Sequence, residues 1–142
     1  FVGMQSHVGD YLALMDIFVL PSGPQESFGN SAIEAMAVGL PTLVFQDGGG
    51  LPEHIQHMQT GFIVNSVEAL ATELRRLLDA PELRRDVGIN AARYVRDKYS
   101  LQSMVRTYDA FYQHVLDRNG APPHPVHGPV ARGAANGVEQ RP

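Results

Sequence analysis

The sequence contains no cysteine, and it contains no lysine or arginine before Arg75. The first absence excludes disulfides and fits a reducing, cytoplasmic setting. None is required, because a 142-residue chain of one domain buries roughly 68–70% of its unfolded surface. Long apolar runs are missing too: the longest, Ala35 to Phe45, is broken by Gly39 and Pro41 and falls short of the ~20 residues of a membrane span. The opening residues, FVGMQSHVGD, offer neither a basic leader nor an initiator methionine. Phe1 to Gly3 reads as the end of a strand, so the chain is expected to be cut from something larger.

The missing bases divide the chain electrostatically. Residues 1–74 carry Asp10, Asp16, Glu26, Glu34, Asp47, Glu53, Glu68 and Glu73 with no compensating cation, while all 11 bases follow, mixed with the remaining acids, for a net charge of -4. The later bases are expected on solvated helix surfaces rather than in a nucleic-acid or membrane patch.

What is present is an alternation of short strand-like runs and amphipathic stretches. The pattern predicts a helix over Val8 to Met15, a buried strand over Ile17 to Leu20, a helix over Ser31 to Ala37 and a strand over Pro41 to Phe45. Gly39-Leu40-Pro41 ends the second helix, glycine past the last turn and proline barring continuation. Thr60-Gly61 turns into a last strand, Phe62 to Val64. Strands alternating with helices imply an α/β domain with a parallel sheet. From Asn65 the period is purely helical. Asn65 with Glu68 suggests a capping box for a helix whose apolar face is Val67, Leu70, Ala71, Leu74, Leu77 and Leu78. A second helix begins near Pro81 and buries Leu83, Val87, Ala91, Tyr94 and Val95. Ser100 caps a third, whose stripe of Leu101, Met104, Val105, Tyr108, Phe111, Tyr112 and Val115 is expected to pack against the domain. Residues 1–118 are read as this domain, and the Pro-, Gly- and Ala-rich residues 119–142 as a disordered tail.

The chemistry concentrates between Pro21 and Glu53. In open parallel sheets ligands bind beyond the carboxyl ends of strands, which makes Pro21 to Asn30 a crevice-lining loop. Glu26 lies in it, and Gly29 and Asn30 lead into the helix that carries Glu34. A carboxylate is an acceptor that matches sugar and ribose hydroxyls, and the first free N–H groups of a helix favour anions. Gln46-Asp47-Gly48-Gly49-Gly50 follows the next strand, where consecutive glycines permit close backbone approach to a ligand. Pro52 and Glu53 suit the first turn of a short helix. Ser31 with Glu34 is also a capping box, so on residue pattern alone Glu34 serves either the helix or a ligand. His54 and His57 have the spacing of a metal pair, but no third ligand converges on them.

PSGPQESFGNSAIEAMAVGLPT followed by GGGLPE resembles the nucleotide-sugar-binding half of retaining glycosyltransferases of family 4, which have the two-domain GT-B fold. The resemblance covers roughly residues 1 to 115. It implies a partial Rossmann-like sheet, and it implies that Glu26 of the E-x7-E pair contacts the donor sugar. By the same resemblance Phe28, Gly29 and Asn30 offer N–H groups to sugar and phosphates, Glu34 holds the ribose, and Asp47, Gly48, Gly49 and Gly50 form the glycine loop near the donor. Where the family most often has Glu-Gly-Phe-Gly-Leu, this chain has Ser27 and Asn30, which alter the sugar-facing surface. The donor would be a nucleoside-diphosphate sugar, with no metal and no further cofactor. The acceptor would be a saccharide or lipid-linked saccharide met by a missing N-terminal domain, with peripheral association at the inner membrane face compatible with such acceptors.

Electrostatics limits what residues 1–74 can do unaided. A phosphate charge ~6 Å from a carboxylate is repelled by roughly 3 kcal/mol at an effective dielectric of about 20. A helix N-terminus returns only about 0.3–1 kcal/mol. Bases are needed, and the resemblance places a basic pair ahead of Phe1. Two other readings stay open: a GT-B nucleotide-sugar epimerase, and a non-catalytic Rossmann-like module.

Overall fold

The computed structural model describes residues 2–119. Phe1 and the expected tail from residue 120 onward lie outside the described residues. The elements run α1 (Val8–Leu12), β1 (Phe18–Leu20), α2 (Asn30–Ala37), β2 (Thr42–Phe45), a 3-10 helix (Leu51–His54), β3 (Gly61–Val64), α3 (Val67–Asp79), α4 (Pro81–Tyr99) and α5 (Leu101–Asn119). The three strands form a parallel sheet in the order β1-β2-β3. Leu20 pairs with Val44 and Phe45 with Val64. This register puts the chain's exits from β1 and β2 side by side at one edge, so the loops after Leu20 and after Phe45 must meet.

Both sheet faces are covered, as the near-continuous apolar sequence of β2 requires. Val44 points into a cluster with Ala32 and Met36 of α2, Leu51, Ile55, and Ala91 and Val95 of α4. Its neighbour Leu43 points the other way, into Phe62, Leu77 of α3 and Val87 of α4. Helix α4 therefore serves both clusters, its N-terminal half one and its C-terminal half the other. The face expected for it, Leu83 through Val95, is buried or half-buried.

Several boundaries differ from the sequence expectations for identifiable reasons. Val2 and Gly3 form no strand; Gly3 has a left-handed backbone, φ 67°, which interrupts extension. Helix α1 stops at Leu12, and its last turn tightens through Leu14 N–H to Tyr11 and Met15 N–H to Leu12. Helix α3 starts one residue late. Its cap is Ser66, not Asn65: Ser66 has an extended backbone and its hydroxyl accepts from Ala69 N–H at 3.1 Å. Asparagine and serine cap almost equally well, so the pattern did not separate them. Glu68 in the first turn is held below the ordinary carboxylate range by its own backbone N–H and then by the Ser66 hydroxyl. Ser66→Ala is expected to lower stability by about 1 kcal/mol and the melting temperature by about 3–5 °C. An unchanged melting curve in scanning calorimetry would remove Ser66 from this role.

The described residues divide into two units after Val105. In α5, Ser100 caps as expected, its hydroxyl accepting from Ser103 N–H at 3.1 Å. Of the stripe expected to pack, Leu101, Met104 and Val105, which belong to the first unit, are 49–70% exposed. Its periodicity specifies a helix and an apolar face, and says nothing of what covers that face. Among the described residues no helix is long and apolar enough to cross a membrane.

Candidate functional site

The two loops at the strand ends are joined through Glu26. One carboxylate oxygen, Oε1, accepts the N–H of Gly29 at 3.1 Å, and the Glu26 carbonyl accepts the N–H of Gly50 at 3.0 Å. A single residue thus fixes the mouth of α2 and the glycine loop after β2. Gly29 occupies the N-cap of α2 with φ 75°, a conformation that glycine adopts at little cost. Ser31 lies inside the helix and no side chain caps it. The capping-box alternative for Ser31 and Glu34 is therefore set aside, because the acceptor at this helix mouth comes from the preceding loop.

The glycine loop packs closely against the Glu26 loop. A Cβ on Gly49 would collide with the Glu26 carbonyl, and one on Gly50 with the Ser27 carbonyl. Gly48 meets the Phe45 carbonyl at 2.9 Å from such a Cβ and the Ser22 carbonyl at 3.3 Å. The glycines let two protein loops close on each other. Gly49 also has φ 61°.

Of the expected site residues, Glu26, Phe28, Gly29, Gly48, Gly49 and Gly50 are brought together. Asn30 starts α2 beside them, exposed, and Glu34 lies one turn further along the same helix face, exposed and without a side-chain hydrogen bond among the described residues. Asp47 is exposed at the start of the glycine loop and makes no side-chain hydrogen bond there. Gly29 N–H is taken by Glu26, which corrects its expected availability to a ligand. The N–H groups of Asn30 and Ser31 meet no acceptor among the described residues and remain at the positive end of α2.

Three residues near the site were not legible. The short helix predicted around Pro52 and Glu53 delivers His54, only 5% exposed, beneath Phe28. Their ring centroids are 4.6 Å apart. His54 Nδ1 is 2.6 Å from the hydroxyl of Tyr99, the last residue of α4, and Tyr99 meets Phe28 edge-on at 6.2 Å. Lys98 precedes it: its ammonium donates to the Tyr94 hydroxyl at 2.8 Å and stands 5.2 Å from the ring centres of Tyr94 and Tyr99. The Tyr94 hydroxyl, and then that of Tyr99, hold this ammonium above its ordinary range. His57 diverges from His54; it is exposed and its Nδ1 accepts the N–H of Ile63 at 3.0 Å. The spacing of the two histidines therefore reflects two separate structural uses.

Known proteins resemble this chain in sequence and fold. Residues 1–94 match the family described as Glycosyl transferases group 1. The chain is 37% identical over 124 residues to N-acetyl-alpha-D-glucosaminyl L-malate synthase of Bacillus anthracis, covering 84% of this chain and 32% of that protein. It is 39% identical over 94 residues to D-inositol 3-phosphate glycosyltransferase of Streptomyces griseus, covering 65% of this chain and 20% of the relative. HepE of Anabaena, solved in complex with UDP, superposes with a TM-score of 0.74 at 20% identity, over 80% of this chain and 32% of that one. Sucrose-phosphate synthase from Thermosynechococcus elongatus gives 0.72 at 30% identity, over 83% of this chain and 30% of that one.

A parallel sheet with its loops gathered beyond the strand ends, superposable on these enzymes, defines an α/β domain of the GT-B type. The chain belongs to the group 1 glycosyl transferase family. It spans about a third of the length of the Bacillus anthracis relative and of the two solved proteins, and a fifth of the Streptomyces griseus one.

Proposed function

We propose that this chain forms one wall of the donor site of a retaining, metal-independent glycosyltransferase that uses a nucleoside-diphosphate sugar. The observation that carries the reading is the double tie at Glu26. Oε1 is committed to Gly29, which fixes the carboxylate and leaves Oε2 to accept sugar hydroxyls. Asn30 and Ser31 N–H groups steady phosphate, Glu34 accepts from ribose hydroxyls, and Phe28 with the Asp47 to Gly50 loop borders the donor.

Catalysis in this reading is positioning and charge stabilisation. The acceptor attacks on the face from which the diphosphate departs, which preserves the anomeric configuration. Neutralising the departing diphosphate falls to bases, none of which lies in residues 1–74. The decisive test uses the longest polypeptide that carries this sequence. It is expected to release nucleotide only when acceptor is present, and proton NMR of the product should show the anomeric configuration of the donor. An inverted product rejects retention, and acceptor-independent release of free nucleotide favours the epimerase. Residues 1–142 alone are expected to give no multiple-turnover nucleotide release.

A further inference from the structure

We propose that His54 and Tyr99 are positioning residues for the donor loop: their hydrogen bond seats the Phe28 ring and thereby holds the Glu26–Gly29 turn at the mouth of α2. The functional part of this inference rests on the donor-site reading above.

The geometry is a three-ring contact with one polar link inside it. Phe28, His54 and Tyr99 meet edge to face in all three pairs, with interplanar angles of 61°, 89° and 84°. Edge-to-face contacts fix ring orientation as well as distance. His54 and Tyr99 are 45 residues apart in sequence and belong to different elements, the 3-10 helix after the glycine loop and the end of α4. Phe28 lies between Glu26 and Gly29, whose side chain and N–H form the turn. Movement of the His54–Tyr99 floor therefore moves the Phe28 ring, and with it the carboxylate two residues earlier.

An orphaned nitrogen separates positioning from simple stabilisation. Whichever partner donates in the His54 Nδ1–Tyr99 hydroxyl bond, Nε2 is buried and has no hydrogen-bond partner among the described residues. A buried unsatisfied group costs stability. A phenylalanine at 54 and another at 99 would spare that cost while keeping three rings. That this chain carries the histidine–tyrosine pair instead points to a use for the polar link between the two rings.

The test combines Tyr99→Phe, His54→Phe and the double variant, each in the longest polypeptide that carries the sequence. Hydrogen exchange is read on peptides covering residues 24–31, with residues 84–95 of α4 as the control. Tyr99→Phe is expected to speed exchange in the loop roughly 5–10-fold, the population change of one lost hydrogen bond, and to leave the control unchanged. It should also lower the melting temperature, because both nitrogens of His54 are then unpartnered. The double variant should regain the melting temperature and keep the fast loop exchange, with no further loss beyond either single variant. If loop protection returns together with the melting temperature, the pair is a stabilising contact and the proposal is overturned. Unaltered loop exchange in Tyr99→Phe overturns it as well. UDP and GDP titrations of the unmodified protein report separately on the donor-site reading. Where either binds, its dissociation constant should rise roughly 5–10-fold in Tyr99→Phe and the double variant alike, and an unchanged constant in both rejects the role in donor binding.

Discussion

In the proposed transferase, Glu26→Ala should slow sugar transfer on the order of 10²–10³-fold, the range seen when one preorganised polar contact to a reacting centre is lost. Glu26 has two connections, and the substitution removes only one of them. The backbone bond from Gly50 N–H to the Glu26 carbonyl survives in any variant, so the two loops stay joined. The side-chain bond to Gly29 N–H is lost, at a cost of about 0.5–2 kcal/mol by analogy with a missing helix cap. Glu26→Gln separates the two consequences. Its amide oxygen can still accept from Gly29, so stability should stay near that of the unmodified protein, while on the proposed reading transfer should fall because the carboxylate charge meant for the sugar is gone. Steady-state kinetics with thermal melting of both variants checks this. Near-native turnover in Glu26→Ala would sink the assignment, and equal losses of stability in both variants would assign Glu26 to the fold.

Why part of this site can be read along the chain and part cannot follows from the range of each interaction. Strand β2 and helix α2 are legible because their signals are local: an apolar run with a glycine–proline break between them. The wrong cap on α3 is a local ambiguity, two adjacent capping residues with one position to fill. The glycine loop shows a harder limit. Three glycines in a row announce close backbone approach, but which backbone approaches is decided by the register of β1 on β2, and the answer is the Glu26 loop. His54 with Tyr99 is beyond local reasoning altogether, because the end of α4 reaches Phe28 only after the sheet and helices have assembled. The same folding alters the charge picture. A count along the sequence leaves residues 1–74 without a cation, whereas in three dimensions Lys98 arrives at the rim of the Phe28 cluster. Its ammonium is occupied with the Tyr94 hydroxyl and two ring faces, so the proposed donor site still calls for additional bases.

Gly88→Ala should destabilise the protein, in the opposite direction to what helix propensity gives. Alanine is favoured over glycine in a helix interior by about 0.8–1 kcal/mol, and Gly88 lies in the middle of the 19-residue α4. Packing reverses the sign. Gly88 is buried, and a Cβ there would collide with the carbonyl oxygen of Gly39 and stand 3.1 Å from its carbonyl carbon. Neither atom belongs to a flexible side chain that could swing aside. Gly39 sits just after α2 with φ 86°, and the buried Pro41 follows two residues later at 3.7 Å from the same Cβ. Relief therefore requires α2 and α4 to move apart as bodies, opening the cluster of Ala32, Met36, Ala91 and Val95 that joins them. Overpacking of this kind costs typically about 1–3 kcal/mol, with backbone collisions at the upper end. The net loss should be about 2 kcal/mol, a fall in melting temperature of roughly 5–10 °C. The site should feel the same displacement, because α2 begins at the Glu26–Gly29 turn and α4 ends at Tyr99. Denaturant melts joined to hydrogen exchange of residues 24–31 test both halves: a stabilised variant would show that the close approach of α2 and α4 is not what requires glycine at 88, and a destabilised one with an unaltered loop would uncouple helix packing from the site.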